Sequence, residues 1–172
     1  FKSEKILLRE IFSNQYVSLN HIGSTSVLSL ASKPIVDISI GVKELKEKKK
    51  YLNLLKTIGY EYNAGSKFEK WILFKKRTSK QNFNLHIMPC NSKRLLDQLI
   101  FKQCLMDNKE LIKNYGWLKK HYMENDDNLF YSMNKLPFVT RVVEGFKEGL
   151  SNSLKYSEET LYQYVQEKFI EN

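Results

Sequence analysis

The sequence predicts an α+β fold: a small mixed β-sheet with flanking helices and a helical C-terminal half. Three observations predict it. Runs that alternate apolar and polar residues, the signature of half-buried strands, fall in the first half of the chain. Two of them, residues 70–76 and 82–88, are joined by a short polar turn, as in a hairpin. Apolar residues at helical spacing dominate the second half. Strands first and helices last is the order of an α+β domain.

Residues 4–13 read as a helix with Ile6, Leu7 and Ile11 on one side. Residues 16–22 read as a strand, because Val17, Leu19 and His21 alternate with Ser18 and Asn20. Residues 24–31 make one or two helical turns before Pro34 stops them. Residues 35–42 are a second strand, and residues 43–58 a helix that Gly59 caps. Beyond the hairpin, Leu95, Leu96, Leu99, Ile100 and Cys104 form an apolar helical stripe. Asp107 and Glu110 read as the N-cap pair of the next helix, which carries Leu111, Ile112, Tyr115 and Leu118. Residues 134–150 and 157–170 repeat the helical pattern. No repeat or linker divides the chain, so residues 1–172 read as a single domain.

At 172 residues, with 42% hydrophobic and 27% charged, the chain is long enough and apolar enough to bury a core. No apolar run has the length of a membrane span, so no membrane association is expected. The opening Phe1-Lys2-Ser3-Glu4-Lys5 is charged, unlike the apolar centre of a secretory leader. Cys90 and Cys104 lack metal-site spacing, as expected of a cytoplasmic protein. The net charge of +9 favours anionic partners: a nucleotide, another phosphorylated small molecule or, more weakly, nucleic acid. A solvated lysine-rich surface accounts for it equally well. The Lys43–Lys50 run, with Glu44 and Glu47 interleaved, reads as such an exposed helix face. Walker, dinucleotide-fingerprint and zincin motifs are absent from the sequence, which disfavours P-loop, NAD and zincin chemistry. Trp71 and Trp117, with ten Tyr and ten Phe, could offer base-stacking surfaces, but most of them fall at helix or strand spacing and read as core.

The chemistry concentrates in His21-Ile22-Gly23-Ser24-Thr25-Ser26-Val27 and in Lys33-Pro34-Ile35-Val36-Asp37-Ile38-Ser39-Ile40. A Gly-Ser turn suits phosphate, because glycine lets backbone N–H groups approach closely and Ser24, Thr25 and Ser26 add hydroxyl donors. An acid on the following strand is placed to hold a divalent cation, Mg²⁺, against the same phosphates. On that strand Val36, Ile38, Ile40 and Val42 share the core face, while Asp37 and Ser39 share the other. A two-metal enzyme wants a second acid where Ser39 stands. On the strand 82–88, His86 lies on the face of Asn82 and Asn84. If the two strands are neighbours, His86 approaches Asp37 as a metal ligand, as a base or as a structural partner. Lys33 and Lys135 are candidates to neutralise phosphate, Lys135 because it is placed near a helix start, where a cation is disfavoured. His21 is left open between site and core.

At these residues the chain resembles the GrpB family, in the nucleotidyltransferase superfamily with a DNA polymerase beta-like fold. The resemblance rests on His21–Val27 and Lys33–Ile38, and continues at Leu85-His86-Ile87, Phe101-Lys102, Tyr115, Leu118-Lys119, Tyr131, Lys135 and Phe138-Val139. It spans roughly residues 17–145. The chain departs from the family pattern at Leu28-Ser29, where Pro-Gly is usual, and at Asn84, where a histidine is frequent. The family also tends to have an arginine on the first hairpin strand, where only Lys70 or Trp71 is found nearby. The resemblance implies a nucleotidyltransferase-like fold and Mg²⁺-dependent transfer of a nucleotidyl group from an NTP. Asp37 and His86 would be the catalytic and metal-binding residues, and Gly23, Ser24, Thr25, Ser26, Lys33 and Lys135 the phosphate-binding ones. The alternative is a non-catalytic nucleotide- or anion-binding module with a degenerate site.

Overall fold

The computed structural model describes residues 1–45, 48–63, 70–123 and 128–154. Five strands form one mixed sheet in the order β1-β2-β5-β4-β3. They are β1 (Ser18–Ile22), β2 (Ile35–Val42), β3 (Glu61–Tyr62), β4 (Ile72–Arg77) and β5 (Asn82–Pro89). β2 and β5 run parallel at the centre, and every other pairing is antiparallel. The hairpin β4–β5 turns through Thr78–Gln81, where the Thr78 hydroxyl donates to the Gln81 carbonyl at 2.6 Å and accepts from its N–H at 2.9 Å.

Both faces of the sheet are covered. Val36, Ile38, Ile40, Leu85, Ile87 and Phe74 fill one face, beneath α1 (Lys2–Phe12) and α2 (Lys48–Lys56). Met88, Ile22 and Trp71 meet α3 (Lys93–Asp107) and α5 (Asn128–Leu154) on the other. A third cluster packs Tyr115 of α4 (Lys109–Met123) on Leu105, Val27 and Leu30. Asp97 ties α3 to α5, accepting from Lys147 at 2.7 Å and from Lys93 at 2.8 Å.

Several elements differ from the sequence expectation. The buried face of α1 is Glu4, Leu8 and Phe12, spaced at four residues, whereas Ile6 and Leu7 are exposed. Glu4 disguises that face in the sequence: it is buried because the Lys76 ammonium donates to it at 2.9 Å. α2 is described over Lys48–Lys56, residues 43–45 are not helical, and the Glu44 carbonyl accepts from the Tyr51 hydroxyl at 3.4 Å. Residues 46 and 47 of the lysine run lie outside the described residues. Gly59 does follow α2 with φ +85°, closing the turn with a bond from the Tyr60 N–H to the Leu55 carbonyl. The N-cap of α4 is Asn108, whose Oδ1 accepts from the N–H groups of Glu110 and Leu111. Asp107 instead ends α3. Residues 24–31 hold a single 3-10 turn, Ser24–Ser26. α5 begins at Asn128 and carries Pro137 inside it, so Lys135 is not near its start. Trp117 is 67% exposed and is not core. The helix expected at 157–170 lies outside the described residues.

Candidate functional site

The parallel pairing of β2 with β5 builds the site. The register sets Asp37 opposite Asn84 and Ser39 opposite His86, all on the face that meets α3 and α5. The His86 Nε2 lies 3.6 Å from the Asp37 Oδ1, a contact longer than a hydrogen bond. The Asn84 amide donates to the same oxygen at 2.8 Å. Asn84 is itself held by Arg77, which donates to its Oδ1 at 2.8 Å and to the Phe83 carbonyl at 2.6 Å. Arg77 is the last residue of β4, at the other end of the strand from Lys70 and Trp71. Burial alone would raise the Asp37 pKa. His86 and Asn84, with the charge of Lys135, outweigh it and hold the carboxyl below its ordinary 3.8.

Gly23 sits against this carboxylate. Its φ is +70°, and a Cβ there would lie 2.7 Å from the Asp37 Oδ2. The position is glycine because of its backbone conformation and because Asp37 occupies the space a side chain would need. The turn also consumes two of the predicted hydroxyls. The Ser26 hydroxyl donates to the Gly23 carbonyl at 2.6 Å, and that of Thr25 donates to the Ile35 carbonyl at 3.3 Å and meets the His21 Nε2 at 3.0 Å. Ser24 remains on the wall of a cleft of about 1260 Å³, with Gly23, Asp37, His86 and Lys135. His21 pairs with Ile38, on the opposite face from Asp37, and stacks on Phe1. Lys33 is exposed and outside the described lining of the cleft. Ser39 is fully buried, so the second metal position of a two-metal site is closed to solvent as well as lacking an acid.

Three basic residues that the sequence reading did not assign to the site belong to this region. Lys119 of α4 is 4% exposed and donates to the Ala31 carbonyl at 2.8 Å. Burial and the charge of Lys135 bring its pKa down to about 8, against the opposing pull of Asp37. Burial likewise lowers the Lys135 pKa, with Asp37 opposing and Arg94 adding to the fall. Arg94 lines the cleft, its guanidinium carbon 4.0 Å above the Trp71 ring centre. Trp71 in turn stacks on His86 at 5.3 Å. Arg77, described above, is the third. Two sequence signals could have found them. Lys119 follows Tyr115 by four residues on the apolar side of its helix, and Arg94 is a cation in a first helical turn.

The mixed sheet thus carries an acid and a histidine on neighbouring parallel strands, facing a cleft whose lining includes Lys70, Lys93, Arg94 and Lys135. Residues 1–145 match the family model described as GrpB protein, and the chain belongs to the GrpB family. It is similar to the Glutamate-rich protein GrpB of Alkalihalophilus pseudofirmus, 30% identical over 150 residues, covering 83% of this chain and 86% of that protein. It is 28% identical over 120 residues to UPF0157 protein YqkA of Bacillus subtilis, covering 70% of this chain but only 35% of YqkA. The crystal structure of conserved protein GrpB from Enterococcus faecalis superposes with a TM-score of 0.74 at 29% identity. That match covers 84% of this chain and 88% of the other. The expected α+β class and family therefore hold.

Proposed function

We propose that the cleft binds a nucleotide or another phosphorylated small molecule. Lys135 carries this reading: a cation drawn partly out of water at the wall of a large cleft, coupled electrostatically to Asp37 and Arg94. Burying charge is costly, and a phosphate group bound beside Lys135 and Arg94 offsets that cost. Ser24 adds a hydroxyl on the same wall, and the net charge of +9 favours anionic ligands in general.

Nucleotidyl transfer from an NTP is the second reading, favoured by an ionised Asp37 lying against the Gly23 turn in this family. The residues fit a resident Mg²⁺ poorly. Mg²⁺ demands near-octahedral oxygen donors, whereas here one carboxylate stands beside an imidazole. No group of three His, Cys, Asp or Glu side chains able to hold a metal occurs among the described residues. Calorimetric titration of the full chain with each NTP, in Mg²⁺ and in EDTA, separates the readings. Binding that persists in EDTA supports the binding module. Binding that requires Mg²⁺ supports the transferase. Absence of binding under both conditions removes both.

A further inference from the structure

Arg94 is exposed at the cleft wall, where it stacks on an aromatic neighbour. Its guanidinium carbon lies 4.0 Å from the Trp71 ring centre, a stacking distance, while Trp71 itself is 8% exposed and fixed in the core. No carboxylate among the described residues forms an ion pair with Arg94, although the nearby Lys93 is paired with Asp97. The placement is also electrostatically unfavourable by itself. Arg94 is the second residue of α3, whose first turn holds no acid, so it adds a positive charge to the positive end of a helix. Stacking on an indole fixes the plane of an arginine and leaves its N–H edge available for bidentate bonds to an oxyanion. Lys135, on the same cleft, supplies a second charge coupled to the first.

We propose that Arg94, oriented by Trp71, is the anchor for a terminal phosphate of the cleft ligand, with Lys135 as the second cation. This rests on the phosphorylated-ligand reading above and adds the group recognised. The shared chemistry is a phosphate dianion, carried by a nucleotide or by a non-nucleotide polyphosphate.

The two tryptophans make the contact measurable. In a Trp117→Phe background, which alters an exposed surface residue, Trp71 is the sole indole reporter. Tripolyphosphate and ATP, each titrated without divalent cation, should both change Trp71 emission as they bind. Adenosine should not compete. Equal affinity for the two phosphates assigns recognition to the phosphate alone, and tighter ATP binding adds a base subsite. Arg94→Lys keeps the charge and removes the fork and the stack. It should weaken both phosphates by about tenfold with an unchanged melting temperature. Calorimetric binding without any change in Trp71 emission overturns the role of Arg94 with no variant needed at that position. So does an Arg94→Lys protein that binds as its parent does while Lys135→Met binds weakly. Either result leaves the phosphate reading standing. A parent protein that binds neither phosphate overturns that reading and this one together.

Discussion

Asp37 is the residue on which the competing readings diverge most. It accepts a bond from Asn84, lies 3.6 Å from His86 and is coupled to Lys135 and Lys119. Its folded pKa is lowered, so its contribution to stability is fully present above the ordinary value of 3.8 and is lost as pH falls through the folded value. Losing this charged hydrogen-bond partner in Asp37→Asn should cost about 1.5–3 kcal/mol at neutral pH, with the gap to wild type closing in denaturant titrations as pH falls below the ordinary carboxylate value. The same variant has opposite effects on ligand affinity in the two readings. If cations alone hold the phosphate, removing a negative charge beside them strengthens binding in EDTA. If Asp37 carries a metal, Mg²⁺-dependent binding disappears. Much of this residue's setting was legible in the sequence, because strand alternation put Asp37, Asn84 and His86 on one face. The function of Gly23 was not. A glycine before hydroxyl residues looks like a phosphate turn in sequence, and only the fold brings the Asp37 carboxylate into the space above it. A Gly23→Val change would therefore clash with Asp37 before it tested any phosphate contact.

At the scale of the element, α1 is attached to the sheet by both apolar packing and a charge. Leu8 and Phe12 are fully buried, and Glu4, one turn earlier, meets Lys76 of β4 across 72 residues of sequence. Lys76 also lies over the rings of Tyr60 and Phe83. Glu4→Ala leaves that ammonium buried without its acid and should cost about 3 kcal/mol in equilibrium unfolding. Adding Lys76→Met should recover part of the loss, since replacing both charges avoids the stranded one. Neither change should alter ligand binding, because the pair lies on the sheet face opposite the cleft. Reading the sequence by hydropathy chose Ile6 and Leu7 for the buried face, because an acid does not announce itself as core. Similar local ambiguity moved the α4 cap from Asp107 to Asn108, both good N-cap residues one position apart. It also moved the start of α5 upstream of Pro137. The start expected at residue 134 lies inside the helix, which already runs at Asn128.

At the scale of the whole molecule, the chain order of strands and helices was enough to give the α+β class, while the central pairing of β2 with β5 needed the family resemblance beside the alternation of the two segments. What composition did not reveal is where the positive charge acts. The net charge of +9 is spread over surface lysines such as Lys109, Lys113 and Lys120 of α4, all exposed, whereas Lys119 and Lys135 are withdrawn into the region of the cleft. Salt distinguishes these two populations. Exposed charges are screened over about 8–10 Å at ordinary ionic strength, and partly buried ones much less. Nucleic acid held by the surface lysines would release counterions from several phosphates at once. Its affinity should then fall by about a thousandfold or more between roughly 50 and 200 mM salt. Tripolyphosphate held in the cleft meets two or three fixed cations, and the same change should weaken it by about tenfold or less. The check is a pair of salt series, one with a single-stranded RNA oligomer and one with tripolyphosphate, followed by a competition between them. Shallow salt dependence for tripolyphosphate and failure of the RNA to displace it would assign the cleft to a small phosphorylated ligand. Equal slopes with full competition would mean that the surface charge, not the cleft, governs what this protein binds.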